Sequence, residues 1–401
     1  MVALLWVVAL LNYMDRQMLS TMKPSMQGDI TELQSATNFG YLMAIFLWIY
    51  GFMSPVSGMI ADRVNRKWLI VVSLFVWSAV TFAMGYATTF SQLYWLRAIM
   101  GVSEALYIPA GLSLIADYHQ DKSRSLAIGI HMTGLYMGQA LGGFGATIAE
   151  GYSWQKTFMS FGLLGILYSV VLILFLKEKR NQEVHVPDDI NGSKPSLFKG
   201  LAVLFSNFAF WIILFYFAVP SLPGWGVKNW LPTLFSGSLD IDMSTAGPMS
   251  TITIAASSFL GVVFGGILSD RWVKHNLRGR IYTSAIGLGL TIPALVLIGF
   301  GHTLFTVMGS AFCFGFGYGM FDANNMPILC QFVSAKYRAT AYGLMNMVGV
   351  FAGAFVTDWL GKSTDAGNLG KDFAMMGSIV VIALILQLSF LRPKSRNYVN
   401  E

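Results

Sequence analysis

Six ionisable side chains stand inside long apolar runs of this sequence: Asp15, Arg16, Arg97, Glu104, Lys228 and Asp322. A charge in the middle of a membrane costs several kcal/mol unless it is paired or hydrated, so each is a candidate for chemistry. Asp15 and Arg16 are consecutive and project about 100° apart on a helix, so one can face a cavity while the other reaches a neighbouring helix. A cavity-facing carboxylate is the group that proton coupling needs, because it can load and release a proton when its surroundings raise its pKa. Arg97 and Glu104 lie two helical turns apart on one face, about 10 Å along the axis, too far for direct contact. A guanidinium offers a bidentate seat for a carboxylate ligand.

The remaining polar groups are arranged around these six. Asp322-Ala-Asn324-Asn325 puts three polar side chains in one turn, suited to sugar hydroxyls or to hydrogen bonds between helices. Lys228 sits in the proline- and glycine-rich stretch Pro220-Ser-Leu-Pro223-Gly224-Trp225-Gly-Val-Lys228, which is expected to break its span. It can meet an anion, act as an outer gate, or snorkel to the interface. Tyr41 and Tyr107 are the aromatics expected to line a cavity, with Gln139 and Asn346 as further binding candidates. Each intramembrane acid also has a bland reading: a fixed ion pair for Asp15, and a neutral packing carboxyl for Glu104. The Gly134-xxx-Gly138-xxx-Gly142 series beside His131 and Gln139 suits close helix packing.

The elements that must position these groups are membrane spans. Of 401 residues, 55% are apolar and 11% charged, against about 25% charged in soluble proteins, and the mean hydropathy is +0.59. Twelve apolar runs long enough to cross a bilayer lie near 1–22, 36–61, 67–87, 91–117, 124–149, 155–176, 200–236, 244–268, 280–300, 303–331, 337–358 and 372–392. The polar segment 177–199 separates six spans from six. The expected organisation is therefore an all-α membrane protein: a six-helix bundle over 1–176, a cytoplasmic linker over 177–199, a second bundle over 200–392 and a tail over 393–401. With both termini placed in the cytoplasm, 19 Lys and Arg fall on the inner side and 4 on the outer, with three inside spans. The net charge of +6 then reads as topology under the positive-inside rule, in the plasma (bacterial inner) membrane, with no nucleic-acid partner expected.

The two halves echo each other. Gly58-Met-Ile-Ala-Asp62-Arg63 returns as Gly266-Ile-Leu-Ser-Asp270-Arg271, and Glu104-Ala-Leu-Tyr-Ile-Pro109 returns as Asp322-Ala-Asn-Asn-Met-Pro327. Arg124-Ser-Leu-Ala127-Ile-Gly129 returns as Arg338-Ala-Thr-Ala341-Tyr-Gly343. Duplicated six-helix halves are a transporter signature, with the site at the midplane between them.

GMIADRVNRKWLI, spanning Gly58 to Ile70, resembles the loop motif of the major facilitator superfamily, with Ile60 and Asn65 as mild departures. Asn12-Tyr-Met-Asp15-Arg16, Gly101-Val-Ser-Glu104 with Pro109, Trp154 with Phe158, and Asn229-Trp-Leu-Pro232 resemble its anion:cation symporter branch of hexuronate, galactonate and sialin-type carriers. The resemblance implies that Asp15 and Glu104 take up protons and that Arg16 handles substrate. It also implies that Asp62, Arg63, Arg66 and Lys67, with Asp270 and Arg271 in the second half, gate the cytoplasmic side.

The expectation is proton-coupled symport of a small organic anion, a sugar acid, by a monomer in the lipid bilayer, with the proton as coupling ion and no other cofactor or metal. A Spinster-like carrier of lipids, amphiphiles or drugs is the alternative, since that branch shares a similar first helix. No P-loop and no H-E-x-x-H occur, so ATP-driven pumping and zinc hydrolysis are not expected.

Overall fold

The computed structural model describes residues 1–119, 121–178, 197–334 and 337–393, apart from the side chains of 62, 63, 121, 122, 124, 125, 197–200 and 339. In the first half α1 (Val2–Met26), α2 (Ala36–Arg63), α3 (Arg66–Met84) and α8 (Trp154–Phe175) are single spans. The fourth span is split into α4 (Phe90–Ala105) and α5 (Tyr107–Tyr118), and the fifth into α6 (Asp121–Gly142) and α7 (Gly145–Tyr152). In the second half a short α9 (Leu197–Phe205) precedes α10 (Phe208–Leu239), α11 (Met243–Val273) and α12 (Gly279–Phe300). The tenth span is split into α13 (Leu304–Asp322) and α14 (Asn325–Phe332), and α15 (Arg338–Asp365) and α16 (Leu369–Phe390) complete the bundle. Eleven spans among the described residues are long and apolar enough to cross a membrane. The twelfth is the α6–α7 pair, whose apolar content is diluted by His131, Gln139 and glycines turned into the protein.

The two broken spans that repeat are broken at the same place. Pro109 is the third residue of α5 and Pro327 the third of α14. A proline there cannot donate to the carbonyl four residues back, so Ala105 and Ala323 lose their helical partner and the span interrupts. Glu104 and Asp322 are thereby set at the ends of α4 and α13.

The seventh span departs from expectation twice. The run 200–236 is two helices, because the Asn207 side chain accepts from the Ala209 backbone N–H at 3.0 Å and starts a new helix there. The proline-rich stretch around Lys228 does not break: α10 continues for 32 residues through Pro220, Pro223 and Pro232. Ser221 Oγ donates to the Phe217 carbonyl at 2.7 Å, and neighbouring helices hold the segment, as prolines in buried spans require.

Within the first bundle α6 packs on α1 through the glycine series. A Cβ at Gly134 would meet the Trp6 carbonyl oxygen at 2.6 Å, one at Gly138 the Leu10 oxygen at 2.2 Å, and one at Gly142 the Met14 oxygen at 2.8 Å. Glycine is required for that backbone approach.

The two bundles meet along α2 with α15, α6 and α7 with α11, and α1 with α10. Along α2 and α15 the contact runs from Gly40 against Thr357 and Gly361 to Asn346, whose Nδ2 donates to Ser54 Oγ at 3.1 Å. One turn further on the same faces, Gly58 and Gly343 have nothing described within 4 Å. Along α6 and α11, Gly143 touches Thr251 and Tyr136 meets Phe259 at 6.1 Å between ring centroids, whereas Gly129 and Gly266 are again open. Among the described residues the halves are thus closed at one pole and parted at the other, which is the pole where α1 begins and α16 ends.

Candidate functional site

α1 delivers three polar side chains on successive faces of the interior, and α4 delivers the acid that gathers two of them. Arg16 Nε lies 2.5 Å from Glu104 Oε2, and Asn12 Nδ2 donates to the same oxygen at 2.9 Å. Asn12 and Arg16 are four apart and share a helical face. Glu104 is fully buried, and Arg16 keeps 11% of its side chain accessible. Its guanidinium also lies over the rings of Tyr13, Phe46 and Tyr50, at 5.1, 4.9 and 4.7 Å from their centroids, an arrangement that stabilises a partly desolvated cation.

Asp15 turns the other way, as consecutive helical residues must. Its Oδ2 accepts from Thr81 Oγ on α3 at 3.3 Å, so the acid faces the interior of the first bundle. Arg97 is buried, with its carbon 4.6 Å from the Phe46 centroid and Nη1 3.1 Å from Met100 Sδ. It makes no ion pair with Glu104 among the described residues, as the seven-residue spacing requires. The Arg97 Nε, Arg16 Nη2 and Glu104 Oε1 atoms are buried without a hydrogen-bond partner among the described residues. Such orphans inside the first bundle are available donors and acceptors for a ligand.

The second bundle supplies the opposing wall. Asn325 Nδ2 donates to Asp322 Oδ1 at 3.1 Å, and its Oδ1 accepts from the Tyr216 hydroxyl at 3.2 Å. Tyr216 is tied at 2.5 Å to Ser284. Asn324 is turned back on its own helix, Nδ2 to the Met320 carbonyl at 2.8 Å, with Oδ1 left unpartnered. Asp322 and Tyr342 are exposed. The Lys228 ammonium lies 4.9 Å over the Trp225 ring. Its carbonyl accepts from Gln17 Nε2 at 2.8 Å, joining α10 to α1. Gln139 and Lys228 line one small space with Gln17, Ser250 and Thr251.

Other residues singled out in the sequence lie elsewhere. Tyr41 is exposed near the closed pole, with Lys362 Nζ 5.3 Å over its ring. Tyr107 is fully buried against Trp77 and His131 and spends its hydroxyl on the Leu5 carbonyl at 2.8 Å. Asn346 bridges the bundles to Ser54. Arg66 pairs with Asp117, and the backbone N–H groups of Arg66 and Lys67 are capped by Glu178. Lys67 Nζ donates to the Ile173 carbonyl at 2.8 Å. These contacts stay within one bundle, as does Asp270 with Arg280 at 3.5 Å. Arg271 is exposed, and the side chains of Asp62 and Arg63 lie outside the described residues.

Thr81, Gln17, Phe46 and Tyr50 were not legible as site residues. Thr81, Phe46 and Tyr50 are common span residues whose role arises from which helix faces α1, and the partner of Gln17 is set by where α10 lies. Asn12 had a signal, its place in the Asn12-Tyr-Met-Asp15-Arg16 motif one turn before Arg16.

The profile of the Major Facilitator Superfamily matches residues 5–357. The hexuronate transporter of Bacillus subtilis is 26% identical, over 97% of this chain and 93% of that protein. The D-galactonate transporter of Escherichia coli O6:H1 is 26% identical, again over 97% and 93%. Among solved structures, a bacterial homolog of the human lysosomal transporter Spinster, in an inward-facing and unoccupied conformation, superposes with a TM-score of 0.83 at 20% identity and covers 98% of both chains. At that identity the likeness concerns the fold.

Proposed function

The chain belongs to the Major Facilitator Superfamily, and from that premise we propose that it couples the passage of a sugar acid to protons by alternating access. The observation that carries the reading is the buried Arg16–Glu104 pair at 2.5 Å. While Glu104 is ionised, it occupies the guanidinium. Protonation of Glu104 removes the opposing charge and frees Arg16 to take the carboxylate of a ligand, so proton and anion arrive together. Asp15 is the second proton site of this reading: it is buried, with one weak hydroxyl contact, and its ionised form is poorly solvated there. Arg97 adds positive potential from beside Phe46, and Asp322, Asn325 and Tyr216 offer partners for hydroxyls.

Two of the relatives transport hexuronates and D-galactonate by name, which supports a polyhydroxy acid as the cargo. The exposed carboxylate of Asp322, held by the buried Asn325, favours such a ligand over a lipid tail. In this reading the basic pole is cytoplasmic and the parted halves face inward, ready to release cargo.

The test is transport in proteoliposomes with radiolabelled D-glucuronate and D-galactonate. Wild type should concentrate substrate when the outside is acidic and stop when a protonophore collapses the gradient. Glu104→Gln should abolish accumulation while sparing exchange of substrate for substrate. If Glu104→Gln and Asp15→Asn both still accumulate substrate against its gradient, proton coupling through these acids is wrong.

A further inference from the structure

One corner of each bundle at the basic pole is built alike, and the two corners differ in their acids. α8 and α16 are both 22 residues long, and each runs into a buried leucine, Leu176 or Leu391. Each leucine N–H donates to the carbonyl four residues back, at 2.9 and 3.2 Å. With those leucines matched, Ile173 corresponds to Leu388. In the first half Lys67 Nζ, from the start of α3, donates to the Ile173 carbonyl at 2.8 Å. In the second half Arg278 Nη2, at the start of α12, donates to the Leu388 carbonyl. Both corners thus lay a cation from one helix on the last turn of the other.

The counter-charge is not repeated. Glu178, two residues after Leu176, accepts from the Arg66 and Lys67 backbone N–H groups at 3.3 and 2.8 Å, and Asp117 pairs with Arg66. Two residues after Leu391 stands Pro393. Asp117 follows Pro109 by eight residues, and the residue eight after Pro327 is Ala335. The cations are nevertheless more numerous. Arg271, Lys274, Arg278, Arg280 and Arg392 stand in the stretches 266–280 and 388–393, whose single acid is Asp270. Asp270 lies 3.5 Å from Arg280 with 71% of its side chain accessible. Arg278 Nε and Arg280 Nε are buried without a hydrogen-bond partner among the described residues.

The surroundings of this cluster fit a lipid. The Arg278 guanidinium lies 5.0 Å over the Tyr282 ring, and that ring is 5.5 Å from Trp272. Tryptophan and tyrosine are the residues that sit at headgroup level. Ile267, one turn before Arg271, and Ile286, one turn after Tyr282, are exposed, as are Ile385 and Phe390 on α16. Positive charge therefore stands at the rim with an apolar face beside it, complementary to a phosphate carried on acyl chains. A free phosphate would leave that apolar face unused.

We propose that this corner of the second bundle holds the headgroup phosphate of an anionic phospholipid, which supplies the negative charge that Glu178 supplies in the first bundle. Arg278 and Arg280 donate to the phosphate oxygens, and the acyl chains lie along Ile267 and Ile286. The lipid then ties the start of α12 to the end of α16. This inference is independent of the cargo and of the coupling ion.

The test offers the delipidated full chain, in neutral detergent, equal amounts of phosphatidylglycerol and phosphatidylcholine. Retained lipid is counted by native mass spectrometry, and the melting temperature is read with each lipid alone. Wild type should retain phosphatidylglycerol about tenfold over phosphatidylcholine and melt higher with it. Pro393→Glu returns the missing acid, so it should cut that preference to about twofold or less and raise the melting temperature in phosphatidylcholine. Arg278→Gln combined with Arg280→Gln should cut the preference as far, and if that variant does not fold, Pro393→Glu decides alone. Lys371→Gln, at the other end of α16, should keep the wild-type preference. No preference in wild type, its survival in Pro393→Glu or in the folded arginine variant, or its loss in Lys371→Gln overturns the proposal. Equal stabilisation by inorganic phosphate overturns the lipid as occupant.

Discussion

Arg16 and Glu104 are bound to each other's fate, since each is buried and each is the other's counter-charge. Removing one partner of such a pair strands the other, at a cost of about 3–5 kcal/mol. Glu104→Ala should therefore lower the melting temperature markedly in a detergent thermal-shift assay. Glu104→Gln, which can still accept from Asn12, should lower it less, and the size of that gap measures the charge pairing itself. The sequence marked all six intramembrane charges by the cost of placing them in apolar runs, and that cost is local enough to read from neighbours along the chain. Thr81 against Asp15 was invisible, because a threonine in a span carries no signal until α3 is known to face α1.

At the scale of the elements, glycine spacing was a sound guide and proline content a poor one. The Gly134, Gly138 and Gly142 series lies against α1 as expected. Gly138→Ala would push a methyl to 2.2 Å from the Leu10 oxygen, overpacking that costs about 1–3 kcal/mol. Gly129→Ala on the same helix meets nothing described within 4 Å and should leave the melting temperature unchanged or slightly raised, because alanine is the better helix former. Equal destabilisation by the two substitutions would mean the close approach is unimportant. The prolines of α10 suggested a broken span, yet the helix is continuous, whereas Pro109 and Pro327 interrupt theirs. The difference is context: a proline within a held helix loses one hydrogen bond that neighbours can compensate, while the two interrupting prolines follow the acids at the repeated turn.

For the whole molecule, closure at one pole depends on contacts between bundles, and the densest is built by Asp365. Its carboxylate accepts from the backbone N–H groups of Ala36 and Thr37 at 2.7 and 2.8 Å, and from the hydroxyls of Ser35 and Thr37 at 2.7 Å each. The C-terminal end of α15 thus caps the N-terminus of α2 across the interface, where a negative charge is favoured by the helix dipole. Losing such a cap typically costs about 1 kcal/mol, enough to shift a two-state equilibrium about fivefold. Asp365→Ala should open the closed pole more often, read as faster maleimide labelling of a Gly40→Cys reporter between α2 and α15 in a chain whose free Cys313 and Cys330 are replaced by serine. Labelling no faster than in the Asp365-containing reporter would show that the cap does not control that pole.

The sequence by itself determined the membrane class, the duplicated six-span halves, the identity of the buried charges and the polar turn after Asp322. These follow from free energies that depend on residue type and spacing alone: apolar length against bilayer thickness, charge against hydrocarbon, and repetition of a motif in register. Only the tertiary structure decided that Arg16 takes Glu104 while Asp15 takes Thr81, that Asp322 is exposed while Glu104 is sealed, and which pole is parted. Those outcomes depend on how helices far apart in the chain are laid against one another. Arg16 and Glu104 are 88 residues apart, and no local pattern states which acid an arginine will meet.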